Sequence, residues 1–141
     1  MPRQREQRTV LAAAQKRGTM STTMFERYGG FASVSKIVMA FYDKVLDSEI
    51  LDPYFANVDM RRLVDHQTKF ISALMGGPAS YTDQKLAEVH AHLGIDSRSF
   101  DEMARLLREA LEESGMEDED VASIANEITK RKPLIVSAKA A

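Results

Sequence analysis

The chain has 141 residues, with 19 Lys and Arg against 21 Asp and Glu for a formal net charge of −2, and it contains no cysteine. That length suits one domain; no apolar run approaches the ~20 residues that cross a bilayer, and the lack of thiols excludes disulfides, thiolate-ligated metal centres and thioether-linked cofactors. Arg3, Arg5, Arg8, Lys16 and Arg17 face only Glu6 in residues 1–20, and Lys130, Arg131, Lys132 and Lys139 face no acid at the other end, so the body between is acidic and repels phosphate backbones, which argues against a nucleic-acid partner.

Residues 1–20 read as a basic leader. Their composition also fits an organellar transit peptide, a disordered tail, or an upstream start with Met20 or Met24 as the true beginning; without a targeting role the protein is expected in the cytoplasm. A domain is expected over 21–132, followed by a flexible tail, 133–141. From Ser21 no alternating run long enough for a strand occurs, and the fold class is all-α. A short first helix ends at Gly29-Gly30. The second spans about Ser33 to Leu46, with Val34, Val38, Phe41 and Val45 on one side, and Asp52-Pro53 breaks the chain. The third is capped by Asp59 and runs to about Met75, where Gly76-Gly77-Pro78 stops it. The fourth covers Asp83 to His90, and the fifth, about Ser97 to Ser114, buries Phe100, Met103, Leu107 and Leu111. The sixth, about Glu119 to Lys132, carries Val121, Ile124 and Ile128, with Pro133 limiting its extension.

All three histidines, His66, His90 and His92, lie in two separated segments, and imidazole is the side chain that binds iron, copper or zinc as a neutral donor near neutral pH. On the third helix Leu63, Gln67, Phe70 and Leu74 share a face. Gln67 is the anomaly there, because a buried amide without partners costs about 1–3 kcal/mol. It bonds either a neighbouring backbone group or something held in the fold, and His66 at the edge of that face reads first as a solvated helix histidine. Leu86 and His90 are one turn apart, whereas His92 is roughly 200° round from His90, so the two cannot grip one metal from a regular helix. No zinc spacing of the His-Glu-x-x-His kind occurs. One inward histidine among Leu, Met and Phe fits either an axial ligand to a large apolar cofactor or plain core.

The ordered motifs go further. Met24-Phe25-Glu26-Arg27-Tyr28-Gly29-Gly30, Ala40-Phe41-Tyr42-Asp43-Lys44-Val45-Leu46, Leu51 to Met60 with its Phe55, His66-Gln67-Thr68-Lys69-Phe70 leading to Gly76-Gly77-Pro78 and Tyr81-Thr82, and Val89-His90-Ala91-His92-Leu93-Gly94-Ile95 follow one another at family spacing. From about Met24 to Ile128 the chain resembles the group I truncated haemoglobins, small globins of two-over-two helical architecture. Phe25 stands where a tyrosine is usual.

The resemblance implies haem b (iron protoporphyrin IX) with His90 as its proximal iron ligand, Phe55 stacked on the porphyrin, and Leu63, Phe70, Leu74, Tyr81, Leu86, Phe100 and Met103 lining the pocket. It implies distal hydrogen bonds from Tyr42 and Gln67 to dioxygen, and it makes His66 a candidate sixth iron ligand. One branch of the family ties its haem to a histidine of the last helix, and no histidine follows His92 here. The expected ligands are dioxygen, nitric oxide and carbon monoxide, with nitric oxide dioxygenation as an accompanying activity. The alternative is a bis-histidyl redox protein reducing nitric oxide, nitrite or hydroxylamine. Either chemistry calls for an electron-donating reductase, and a monomer or weak dimer is expected.

Overall fold

The computed structural model describes residues 22–137. The basic leader, 1–20, and the last four residues of the expected tail lie outside them. Helix α1 (Met24–Arg27) opens on a reciprocal cap: Thr23 Oγ1 accepts from the Glu26 N–H at 3.0 Å while the Thr23 N–H donates to Glu26 Oε1 at 3.1 Å. Gly29 follows at φ +104°, left-handed backbone that a side chain resists, and a Cβ there would also strike Ser33 Oγ. Helix α2 begins at once, spanning Gly30–Leu46, three residues earlier than the sequence suggests. Val34, Val38, Phe41 and Val45 all turn inward, joined by Ile37 and Tyr42.

Asp52-Pro53 does more than break the chain. Asp52–Phe55 forms a 3-10 turn with the proline in its opening positions, where the missing N–H has no bond to lose. Helix α3 (Met60–Leu74) is capped by Asp59, whose Oδ1 accepts from the Arg62 N–H at 3.2 Å. Helix α4 (Asp83–His90) is capped by Thr82 and α5 (Ser97–Glu113) by Asp96. Helix α6 (Asp118–Lys130) is followed by α7 (Lys132–Ile135). Helix α2 packs on both α3 and α5, and α5 in turn on α6, which gives two helix pairs laid across each other. Among the described residues there is no strand.

The expected flexible tail is the main departure. Pro133 starts a new turn instead of ending the last one, and Ile135 is buried because Leu134-Ile135-Val136 would otherwise leave an apolar stretch in water. The Ser137 N–H donates to the Ile95 carbonyl at 2.9 Å, and Arg131 reaches Asp83 at 3.1 Å, so residues 131–137 clasp both ends of the α4 region.

At the opposite end of the molecule Tyr28 Oη donates to Asp120 Oδ2 at 2.6 Å and accepts the Glu117 N–H at 3.1 Å, while the Arg27 guanidinium lies against both Asp120 oxygens at 3.2 and 3.3 Å. The Arg27 bonds, then that from Tyr28, hold the Asp120 carboxyl below the usual carboxylate range. This ties α1 to the start of α6.

Gly77 is fixed by crowding. A Cβ there would lie 2.7 Å from the Phe25 ring and 3.0 Å from the Ser72 carbonyl oxygen, and backbone cannot yield as a side-chain tip can. Gly77→Ala should destabilise by about 1–3 kcal/mol, the usual cost of forcing atoms into a packed core. Calorimetry should show a melting temperature several degrees lower, and an unchanged one would mean that Phe25 moves aside freely.

Candidate functional site

Helices α2, α3, α4 and α5 enclose a cavity of about 520 Å³. Sites for small organic molecules run from ~300 to 1,000 Å³. Its walls are apolar, with a few polar groups set among them.

On one side stands His90, the last residue of α4, half-buried. Its Nδ1 is 2.8 Å from the Leu86 carbonyl oxygen one turn back. A carbonyl only accepts, so Nδ1 carries a proton, and in the neutral ring Nε2 then keeps its lone pair. A hydrogen bond at the far ring nitrogen is the arrangement that fixes the tautomer and orientation of a metal-binding imidazole. Leu86 and Phe100, each 2% exposed, and the half-buried Met103 flank it.

Tyr42, Leu63, Gln67 and Phe70 come from α2 and α3 to the same cavity, and Phe55 enters from the 3-10 turn with its ring centroid 5.9 Å from that of Tyr42. Tyr81 packs edge-on to Phe70 at 5.4 Å. Burial, with a smaller contribution from Tyr81, pushes the Tyr42 phenol well above its ordinary pKa. It therefore stays protonated as a donor, and neither it nor Gln67 has a hydrogen-bond partner among the described residues. His66 is also at the wall, largely exposed.

Of the residues that the resemblance places around the haem, Leu74 alone stands clear of the cavity: it is half-buried against the core, because it ends α3 beyond the stretch that the cavity spans. His92 is exposed and outside the cavity. Sequence reasoning missed Arg62 and Asp59 at the wall, Ile135 from the supposed tail, and the bond of Tyr54 Oη to Ser99 Oγ at 3.1 Å. Only Arg62 had a signal, one turn ahead of His66.

The donor set suits a planar apolar cofactor that brings its own metal chelate. Among the described residues no three His, Asp or Glu side chains converge to hold a metal ion unaided. A single histidine with a free Nε2 on an apolar wall supplies one axial ligand and a surface for a macrocycle.

Comparison with known proteins settles the family. The bacterial-like globin family model matches residues 23–136. The group 1 truncated haemoglobin of Mycolicibacterium paratuberculosis is 33% identical over 118 residues, 84% of this chain and 87% of that protein. This chain belongs to the group 1 truncated haemoglobins. The crystal structure of the truncated haemoglobin of Tetrahymena pyriformis in its Fe(III) form superposes with a TM-score of 0.74 at 30% identity, covering 82% of this chain and 98% of that one. Another group 1 member, from Tetrahymena thermophila, is 33% identical over 106 residues. As a truncated haemoglobin the protein is a haem-based binder of diatomic gases with the two-over-two helical fold. No helix of its described residues is long and apolar enough to cross a membrane.

Proposed function

We propose that the cavity holds haem b without a covalent link, with His90 Nε2 as the proximal ligand, and that the protein binds dioxygen and uses it to oxidise nitric oxide to nitrate. The observation that carries this reading is the 2.8 Å bond from His90 Nδ1 to the Leu86 carbonyl, which leaves Nε2 free to coordinate in a cavity shared with Tyr42 and Gln67. When bound, haem b supplies ferrous iron with an open position for a diatomic gas.

The chain's own residues do the rest. Phe55 and Phe100 offer flat apolar surface to a macrocycle. Leu63 and Phe70 keep water away from the gas side. Tyr42 Oη and the Gln67 amide donate to dioxygen, which draws electron density when it binds, and a donor to a charged acceptor is worth about 1.5–3 kcal/mol. Oxidation of nitric oxide balances as NO + O₂ + e⁻ → NO₃⁻, the electron coming from a reductase. Mixing the oxygenated protein with nitric oxide should yield one nitrate per haem; nitrite or a stable nitrosyl in its place would overturn the dioxygenation reading.

A second reading is favoured by His66, which is at the same wall, exposed, and without a hydrogen-bond partner among the described residues. Closing on the cavity would give a bis-histidyl redox protein that reduces nitric oxide, nitrite or hydroxylamine, and external gases would bind more weakly by the fraction of open form. Under this reading the ligand-free ferrous spectrum is six-coordinate and low-spin and becomes five-coordinate in His66→Ala. A five-coordinate spectrum already present in the unmodified protein contradicts it.

A further inference from the structure

On the reading that His90 ligates the iron, we propose that Arg131 is its positioning residue: from the C-terminal clasp Arg131 fixes α4 against α3, and with it the height at which the His90 imidazole stands over the cavity. Helix α4 cannot hold its own place. It has eight residues, well short of the ~12–15 at which a helix in water becomes even marginal, and only Leu86 of them is buried. The bond from His90 Nδ1 to the Leu86 carbonyl lies inside that helix, so it orients the ring on α4 and leaves the position of α4 to other contacts. Those come chiefly from α7, the element on which α4 packs most.

Arg131 stands where these contacts converge, with its side chain 20% exposed. Nη1 donates to the Glu127 carbonyl at 2.8 Å and to Glu127 Oε1 at 2.9 Å, which fixes the guanidinium on the last turn of α6. Nε donates to Oδ1 of Asp83, the first residue of α4, at 3.1 Å. Cζ lies 6.0 Å from the centroid of the Phe70 ring on α3, within cation–π reach. One planar group thus spans from the helix of His90 to the helix of Gln67 and Phe70, which carry the two walls of the cavity. The same segment is anchored on α5 by Lys132, whose Nζ is 2.9 Å from Asp101 Oδ1 and 5.5 Å over the Phe100 ring, and the Ser137 N–H holds the Ile95 carbonyl beyond α4.

The Arg131–Asp83 bond acts on position more than on stability. The Asp83 side chain is 62% exposed, and exposed pairs contribute little to folding. A site residue, however, has to be held within ~0.5 Å of its productive place, and the reach of an imidazole to its metal follows the helix that carries it.

The test uses the full chain loaded with haem and carrying His66→Ala, so that no second histidine competes for the iron. Arg131→Met keeps the apolar stem and loses the guanidinium, and Asp83→Asn removes the charge it meets. Each should speed hydrogen exchange of the α4 amides about two- to fivefold, the effect of one exposed pair. In resonance Raman spectra of the reduced protein each should also shift and broaden the iron–imidazole stretching band. Arg27→Met breaks the clamp at the opposite end, on Asp120, and should lower the melting temperature while leaving the band in place. An unmoved band in Arg131→Met and Asp83→Asn, even with faster exchange, would make Arg131 a support of α4 alone and overturn its role toward His90. So would the same band change in Arg27→Met, since general loosening would then account for it. Failure of the unmodified chain to take up haem would instead refute the reading of His90 as ligand.

Discussion

His90→Gly should abolish stable haem uptake. The side chain makes one structural bond, to the Leu86 carbonyl, and that bond lies within its own helix, so its removal leaves the packing of α4 against α7 in place. What is lost is the Nε2 lone pair. Removing an outer partner of a metal ligand typically costs ~10–100-fold in metal affinity, and removing the ligand itself should cost more. Far-ultraviolet circular dichroism should stay helical while titration with haem gives no sharp end point. Adding imidazole should restore part of the binding, because the vacated space beside Leu86 and Met103 takes a free ring. Uptake unchanged in the glycine variant without imidazole would mean that another group holds the iron.

Tyr42→Phe should speed dioxygen release about tenfold or more while changing carbon monoxide release little. The phenol is 7% exposed and kept protonated by burial, and phenylalanine fits the same space without the hydroxyl. The variant therefore removes a donor and leaves the edge-on contacts with Phe41 and Phe55. One hydrogen bond of about 1.5–3 kcal/mol to a partly charged acceptor corresponds to a factor of ten or more. Carbon monoxide gathers much less negative charge and so loses much less. Stopped-flow displacement measures both rates, and equal acceleration of the two gases would point to altered access, not to a lost bond.

Much of this was legible in the sequence because it is local. Asp59 marks a helix start through its capping carboxylate, Gly29-Gly30 and Gly76-Gly77 mark turns, and the spacing of Val34, Val38, Phe41 and Val45 marks a buried face. His90 could be singled out as the inward histidine because Leu86, one turn away, fixes its phase. What could not be read depends on contacts between distant segments. Pro133 looked like a stop, and only the burial of Ile135 beside Ile95 and the anchoring of Arg131 on Asp83 make 132–135 a helix. The Tyr54–Ser99 bond joins residues 45 apart. Leu74 has the right phase for the cavity but the wrong height along α3, and periodicity reports angle alone. The ordered motifs supplied the cofactor, which spacing by itself left open between an axial ligand and plain core.

The absorption spectrum of the purified full chain, reduced and then exposed to carbon monoxide, bears on all of these arguments together. An intense Soret band with one haem per chain, shifting on addition of the gas, is the result expected from a cavity of about 520 Å³ with a free imidazole nitrogen at its wall. No Soret band after stoichiometric haem is added to the folded chain, or a band that does not respond to carbon monoxide in the reduced His66→Ala variant, would contradict it.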